Sequence, residues 1–393
     1  MSYPWLLVLL LWVAGLLNYL DRQVIFSLFP LIRSDLNLTD AQLGWTSSSF
    51  LWVYACASPL SGYLADRYGR ARLIVWSLAL WSVVTFLTGR ASTLTELLFA
   101  RAAMGASEAL YLPAALALIA GHHPESTRSR ATGLHYSGMY AGIVLGGFGG
   151  GWIGANYGWR AAFSILGVAG LIYSFVLPRF LRETHSGKPL PSTPWRELLR
   201  IRSLWLLMAI FIATSAANWL VYTWMPLHLF ERFQLSLASA GFLATFWLQI
   251  GSVAGIAFGG YAADWWSKSN PAGRAWLQAW GLLAAAPFLF LAGYTSSTTL
   301  VALGLFIFGL GRGIFDANAM PVLCGIVPEQ FRSTGFGMLN FAGVMAGGVM
   351  ATMAGYLKGS VGMGALVQSA GGVLVFAALG AYMAGRKLRS TPT

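Results

Sequence analysis

Four ionisable side chains stand inside apolar runs of this chain. Asp21 and Arg22 fall within Asn18-Tyr19-Leu20-Asp21-Arg22, and Arg101 and Glu108 fall within the run 98–120. An ionisable group at membrane depth costs about 2.5–3.5 kcal/mol on insertion scales, so such groups face a bundle interior or a water-filled cavity and mark substrate or proton paths. The residue types suggest separate tasks. A guanidinium is a planar fork suited to bidentate capture of a carboxylate, and it does not give up its proton. A carboxyl in an apolar wall is penalised when charged and can exchange a proton. A second acid and base, Arg312 and Asp316, are spaced i, i+4 and can pair within their own helix.

Spacing constrains the pairing. Arg101 and Glu108 are seven residues apart, which on a helix is two turns, about 20° of drift and ~10 Å of rise. They share a face but are too far apart to neutralise each other. Asp21 and Arg22 point ~100° apart around their helix. The expected arrangement therefore pairs Asp21 with Arg101. It leaves Arg22 in a cavity as an anion hook and Glu108 as the readier proton carrier. The competing reading is a static ion-pair network that braces spans 1 and 4.

The elements that must position these residues are membrane helices. The 393 residues are 57% apolar and only 10% charged, with a mean hydropathy of +0.64. That composition marks an all-α integral membrane protein, not a chain of soluble domains. Twelve spans are predicted, near 5–29, 41–63, 71–89, 93–120, 130–153, 158–178, 203–226, 237–262, 274–294, 298–323, 332–356 and 362–384. The polar stretch 181–202 separates 1–180 from 203–393 as a cytoplasmic linker. Within it, Trp195 to Leu199 is expected to form a short surface helix. The first apolar run lacks a basic leader and a small-residue cleavage site, and reads as a retained helix.

The net charge of +12 does not indicate a nucleic-acid partner, because the basic residues are scattered in short loops. Arg33, Arg90, Arg160, Arg232 and Lys358 fall on one side, and Arg22, Arg101 and Arg312 are intramembrane. The remaining 17 of the 25 basic residues share the side of the termini. The positive-inside rule makes that side cytoplasmic, in a multi-pass cell-membrane protein. Cys56 and Cys324 form no disulfide framework, and the His122-His123 loop pair lacks further metal ligands. No metal, cofactor or catalytic set stands out, so an enzyme is not expected.

The two halves repeat. Gly62-Tyr63-Leu64-Ala65-Asp66 followed by Arg70 corresponds to Gly260-Tyr261-Ala262-Ala263-Asp264 followed by Lys268. Gly105, Glu108, Ala109 and Pro113 correspond to Gly313, Asp316, Ala317 and Pro321. Arg130-Ala131-Thr132-Gly133 corresponds to Arg332-Ser333-Thr334-Gly335. Three matches in chain order imply two pseudo-symmetric six-helix bundles around a central cavity. In span 5, Gly138, Gly142, Gly146, Gly147 and Gly149 to Gly151 suggest a face for close, sliding helix contact.

On these motifs the chain resembles the major facilitator superfamily of secondary transporters, most closely its anion:cation symporter branch, with the spinster-like branch second. The narrower likeness rests on Asn18 to Arg22, Arg101 with Glu108, Pro113, Arg130 to Gly133 and Gly158-Trp159-Arg160. The resemblance implies proton-coupled symport of a small organic anion, such as a sugar acid, by alternating access. The alternative is a spinster-like or drug-like exporter of an amphipathic molecule. The implied partners are the anion, the lipid bilayer and protons, with sodium as the alternative ion, acting on a monomer. Asp21, Arg101, Glu108 and Asp316 are expected in proton coupling. Arg22, Tyr54, His135, Tyr136, Tyr140, Asn218, Tyr222, Gln249 and Asn340 are the substrate-binding candidates, several of which would otherwise serve as interhelical glue. Asp66, Arg67, Arg70 and Asp264 are the gating candidates, with ordinary positive-inside topology as the competing reading.

Overall fold

The structure is a computed structural model that describes residues 2–183, 198–328 and 332–390. Its described helices are α1 Tyr3–Ser27, α2 Phe29–Leu36, α3 Asp40–Tyr68, α4 Arg70–Thr88, α5 Leu94–Glu108, α6 Tyr111–His122, α7 Glu125–Tyr157, α8 Trp159–Val176, α9 Arg202–Phe233, α10 Leu237–Ser267, α11 Gly273–Tyr294, α12 Thr298–Cys324, α13 Arg332–Val361 and α14 Met363–Ser390. Among the described residues, ten helical stretches are long and apolar enough to cross a membrane, with α5 and α6 counted as one. The other two of the twelve expected spans are α3 and α7. They are 29 and 33 residues long, but hydroxyls and charges dilute their hydropathy. Most of the stretch Trp195 to Leu199, expected as a surface helix, lies outside the described residues.

Local sequence explains the ends and breaks. Thr39 and Gln42 open α3 with a reciprocal capping box: the Thr39 N–H donates to Gln42 Oε1 (2.8 Å), and the Gln42 N–H donates to Thr39 Oγ1 (3.2 Å). Thr93 Oγ1 caps α5 by accepting from the Glu96 N–H (3.2 Å), while Glu96 Oε2 accepts from the Ser92 N–H (2.7 Å). Gly158 (φ 83°) and Gly362 (φ 79°) are single-residue joints, before α8 and α14, in a conformation that favours glycine. The fourth predicted span is broken at Ala109 and Leu110. Pro113 accounts for the break, since its ring clashes with the carbonyl four residues earlier and it lacks an N–H. Glu108 thereby becomes the last residue of α5.

The chain forms two compact units, residues 1–190 with 229–242, and residues 191–228 with 243–393. The hairpin joining α9 to α10 therefore groups with the first unit, whereas sequence order places it in the C-terminal bundle 203–393. A Cβ at Gly241 or Gly151 would collide with the backbone of Gly147 or Leu237, and Arg33 Nη1 bonds both Asp40 (3.1 Å) and Glu231 (2.8 Å). Nearby, Asp35 accepts from Arg160 and from the Trp159 indole (3.2 Å). The Arg160 contact holds its carboxyl below the usual carboxylate range.

In the first unit, α1 lies against α7 along a seam of Gly138, Gly142, Gly146, Gly150 and Gly154. A Cβ on these would strike, in order, Trp12, Leu16, Leu20, Val24 and Leu28. Both series step by four residues, so each is one stripe along its helix. Below the site, Leu7, Leu11, Leu78, Trp81, Tyr111, Leu118 and Ile119 join an apolar core of α1, α4 and α6. In the second unit, Gly251 and Gly255 on α10 and Gly309 and Gly313 on α12 bring those two helices into backbone contact.

The structure generates two stability predictions. Gly142→Val drives a branched side chain into the Leu16 carbonyl. It is expected to cost roughly 1–3 kcal/mol or more, read as a lowered melting midpoint of the solubilised protein. Glu183 accepts from the Arg70 N–H (2.9 Å) and the Ala71 N–H (3.0 Å), so it caps α4 from a distant segment. Glu183→Ala is expected to cost about 1 kcal/mol in the same assay. A midpoint unchanged by either substitution contradicts the corresponding packing or capping role.

Candidate functional site

The glycine seam sets the rotation of α1. With Leu20 against α7, Arg22 lies ~200° away, on the opposite face, and Asp21 lies ~100° away, to one side. Arg22 accordingly reaches α3 and α5, and Asp21 reaches α4. Arg22 Nε donates to Glu108 Oε2 at 2.5 Å. The guanidinium carbon also lies over the rings of Tyr54 (4.5 Å), Tyr19 (4.7 Å) and Phe50 (5.2 Å). Arg22 is 8% exposed and Glu108 is fully buried. An aromatic collar of this kind stabilises a cation through the ring quadrupoles without supplying a competing anion.

The expected Asp21–Arg101 pair does not form. Asp21 Oδ2 accepts from Thr85 Oγ1 (3.2 Å) on α4. Arg101 turns to α3, where Nε donates to the Thr46 carbonyl (3.3 Å), while Nη1 meets Met104 Sδ (2.9 Å) and the guanidinium lies over Phe50 (4.8 Å). The reason is axial distance. Once Arg22 is level with Glu108, Asp21 is only 1.5 Å along α1 from that level, whereas Arg101 is ~10 Å along α5. The same geometry overturns the expectation that Arg22 and Glu108 are the unpaired groups, because they are each other's partner.

The surroundings are polar and under-satisfied. Among the described residues, Asp21 Oδ1, Glu108 Oε1 and Arg101 Nη2 are buried without a hydrogen bond of normal geometry. Buried polar groups are normally paired by protein or by water, so this concentration singles the region out from the apolar helices around it. His135 is wedged beside Gly15 and 5.9 Å from the Tyr111 ring. Tyr136 and Tyr140 come from α7 into the electrostatic neighbourhood of Tyr19. Of the first-unit candidates, the structure thus joins Arg22, Glu108 and Tyr54 directly. Phe50, which lies against both arginines, escaped the sequence reading. Its i, i+4 relation to Tyr54, with rings 5.8 Å apart and near parallel, is the signal that marks it.

The second unit holds a separate cluster. Arg312 Nη1 donates to Tyr222 Oη (2.8 Å), and Arg312 Nε meets Asp316 Oδ2 (3.3 Å), the pair expected from i, i+4 spacing. Gln249 Nε2 donates to the same phenol oxygen, and Trp219 lies 6.0 Å from the Tyr222 ring. Asn218 Oδ1 is buried without a partner. Asn340 is exposed on α13 and makes none of these contacts.

The gating candidates are dispersed. The side chain of Asp66 lies outside the described residues. Arg67 is exposed, 5.5 Å from the Tyr68 ring, and Arg70 reaches the Ala117 carbonyl (3.3 Å). Asp264 pairs with Arg274 (2.6 Å) in its own unit. Glu183, which holds the start of α4, is a further residue that sequence reasoning missed, since nothing in a loop acid specifies a helix 112 residues away.

Residues 11–277 match the Major Facilitator Superfamily. The probable galactarate/D-glucarate transporter GudP of Bacillus subtilis is 27% identical, over 98% of this chain and 90% of that protein. The hexuronate transporter of the same organism is 26% identical, over 95% and 92%. Among solved structures, an inward-facing bacterial homologue of the human lysosomal transporter Spinster superposes with a TM-score of 0.86 at 22% identity, covering all of both chains. That last likeness concerns the fold. With a match across most of its length, relatives aligned nearly end to end and twelve helical stretches in the expected places, the chain belongs to the Major Facilitator Superfamily, whose members here are transporters and not enzymes.

Proposed function

We propose that this protein is a proton-coupled symporter that imports a small organic anion, with a sugar acid as the favoured substrate, by alternating access. The observation that carries the reading is the buried Arg22–Glu108 pair at 2.5 Å. The names of the sugar-acid transporters aligned over almost the whole chain support the substrate class. The positive-inside count supports cytoplasmic termini.

The pair suggests how proton and anion are linked. Glu108 occupies the guanidinium that an incoming carboxylate needs. A second carboxylate ~4 Å from an ionised Glu108 is repelled by about 4 kcal/mol at an effective dielectric near 20, roughly a thousandfold in affinity. Protonation of Glu108 removes that repulsion and releases the fork for bidentate capture of the substrate. The aromatic collar keeps the arginine in place during the exchange. Asp21 and Arg101, each buried with an atom that lacks a hydrogen bond of normal geometry, are the secondary members of the coupling group. Tyr54, Tyr136, Tyr140 and His135 are proposed to contribute to substrate contact. Asp66, Arg67 and Arg70 are proposed as a cytoplasmic latch, in which Arg70 gains support from its tie to Ala117.

The test is reconstitution of the full chain in proteoliposomes supplied with D-glucarate. Wild type is expected to acidify the lumen as glucarate enters. Glu108→Gln leaves Arg22 without its resident anion. It is expected to retain glucarate exchange, lose proton-driven accumulation and bind glucarate with little dependence on pH. Arg22→Gln is expected to weaken binding by about a hundredfold or more. Glucarate uptake by the wild type with no proton movement overturns the coupling, and a requirement for sodium redirects it to that ion.

A further inference from the structure

The second unit contains a rearranged copy of the first unit's charge site. Asn218-Trp219-Leu220-Val221-Tyr222 repeats the frame of Asn18-Tyr19-Leu20-Asp21-Arg22, which places Tyr222 at the position of Arg22. Asp316 stands at the position of Glu108 in the Gly105/Gly313 motif, and in that register Arg312 replaces Met104. The cation has moved from the first helix of the repeat to the fourth. The same grouping of a guanidinium, an aromatic ring and a carboxyl is nevertheless rebuilt, with Arg312 5.4 Å from the centre of the Tyr222 ring.

Hydrogen-bond accounting shows what this cluster wants. A phenol oxygen has two acceptor lone pairs and one donor. On Tyr222 both acceptor positions are taken, by Gln249 Nε2 and Arg312 Nη1. Its O–H is a further donor in the cluster. Arg312 Nε meets Asp316 Oδ2 at 3.3 Å, longer than the roughly 2.7–2.9 Å of a strong charge-assisted bond. The side chains of Arg312 and Asp316 are 23% and 42% exposed, unlike the sealed Glu108. The cluster is rich in donors, reachable and loosely held by its own acid. A carboxylate is the ligand that fits it.

We propose that Arg312, Tyr222 and Gln249 form a carboxylate-binding site in the second unit, in which Asp316 is a resident anion displaced by the ligand. This rests on the reading of the protein as an organic-anion transporter. It adds a site with its own sign test, because removing a competing anion strengthens binding, whereas removing half of a structural brace does not.

The experiment is equilibrium binding of D-glucarate to the purified full-length protein in nanodiscs, followed by calorimetry. Melting midpoints of the ligand-free variants are measured in parallel. Asp316→Asn is expected to tighten binding by about tenfold, Tyr222→Phe to weaken it about fivefold and Arg312→Gln about thirtyfold. The Asn and Phe variants are near-isosteric and keep the test open if Arg312→Gln folds poorly. Unchanged affinity in all three variants, or weaker binding in Asp316→Asn, overturns the site. If Arg22→Gln still abolishes binding in that case, the transport reading stands without it. A wild type that binds no organic anion overturns both.

Discussion

The main chains of α1 and α7 touch because no side chain stands between them, and the placement of the charges follows from that contact. A carbonyl such as that of Leu16 occupies the space where a side chain at Gly142 would begin. Three such carbonyl contacts, from Trp12, Leu16 and Leu20, continued at the same four-residue interval by the side chains of Val24 and Leu28, leave α1 one rotational setting. In that setting Arg22 is directed to Glu108, Asp21 to Thr85, and the remaining face of α1 to the apolar core with α4 and α6. Without that registry, a guanidinium and a carboxylate would have to find each other against a desolvation cost that exceeds the value of most ion pairs.

The buried pair is therefore better regarded as a functional element than as a source of stability. Replacing it with apolar residues would be neutral or favourable for folding alone. Its partners are arranged for exchange instead. One carboxylate oxygen is bonded to the guanidinium and one is not, and the cation is held from several sides by rings. The second unit uses similar parts in a looser, more accessible arrangement, so the two repeats have diverged in burial more than in chemistry.

Much of this was legible in the residues. Apolar run lengths located the spans, Pro113 accounts for the interruption after Glu108, and i, i+4 spacing paired Arg312 with Asp316. The separation of Arg101 from Glu108 also followed from helical rise. The choice among buried partners did not, because it depends on how one helix is shifted along another. That offset comes from the glycine seam, whose members were visible while their contact helix was not. Phe50 was silent for a related reason: an apolar ring in an apolar helix carries no signal until two cations are seen to share it. The grouping of the 229–242 hairpin with the first unit is likewise a property of packing and not of chain order.

The interruption after Glu108 has a mechanical consequence. A continuous helix transmits torque along its length. The missing hydrogen bond at Pro113 divides this span into two rods, one braced on α3 through Gly105 and the other embedded in the core with α1 and α4. The proton-carrying candidate sits on the joint. The two rods therefore answer to different neighbours, and a substitution that straightens the joint would couple those neighbours without altering a single charged atom.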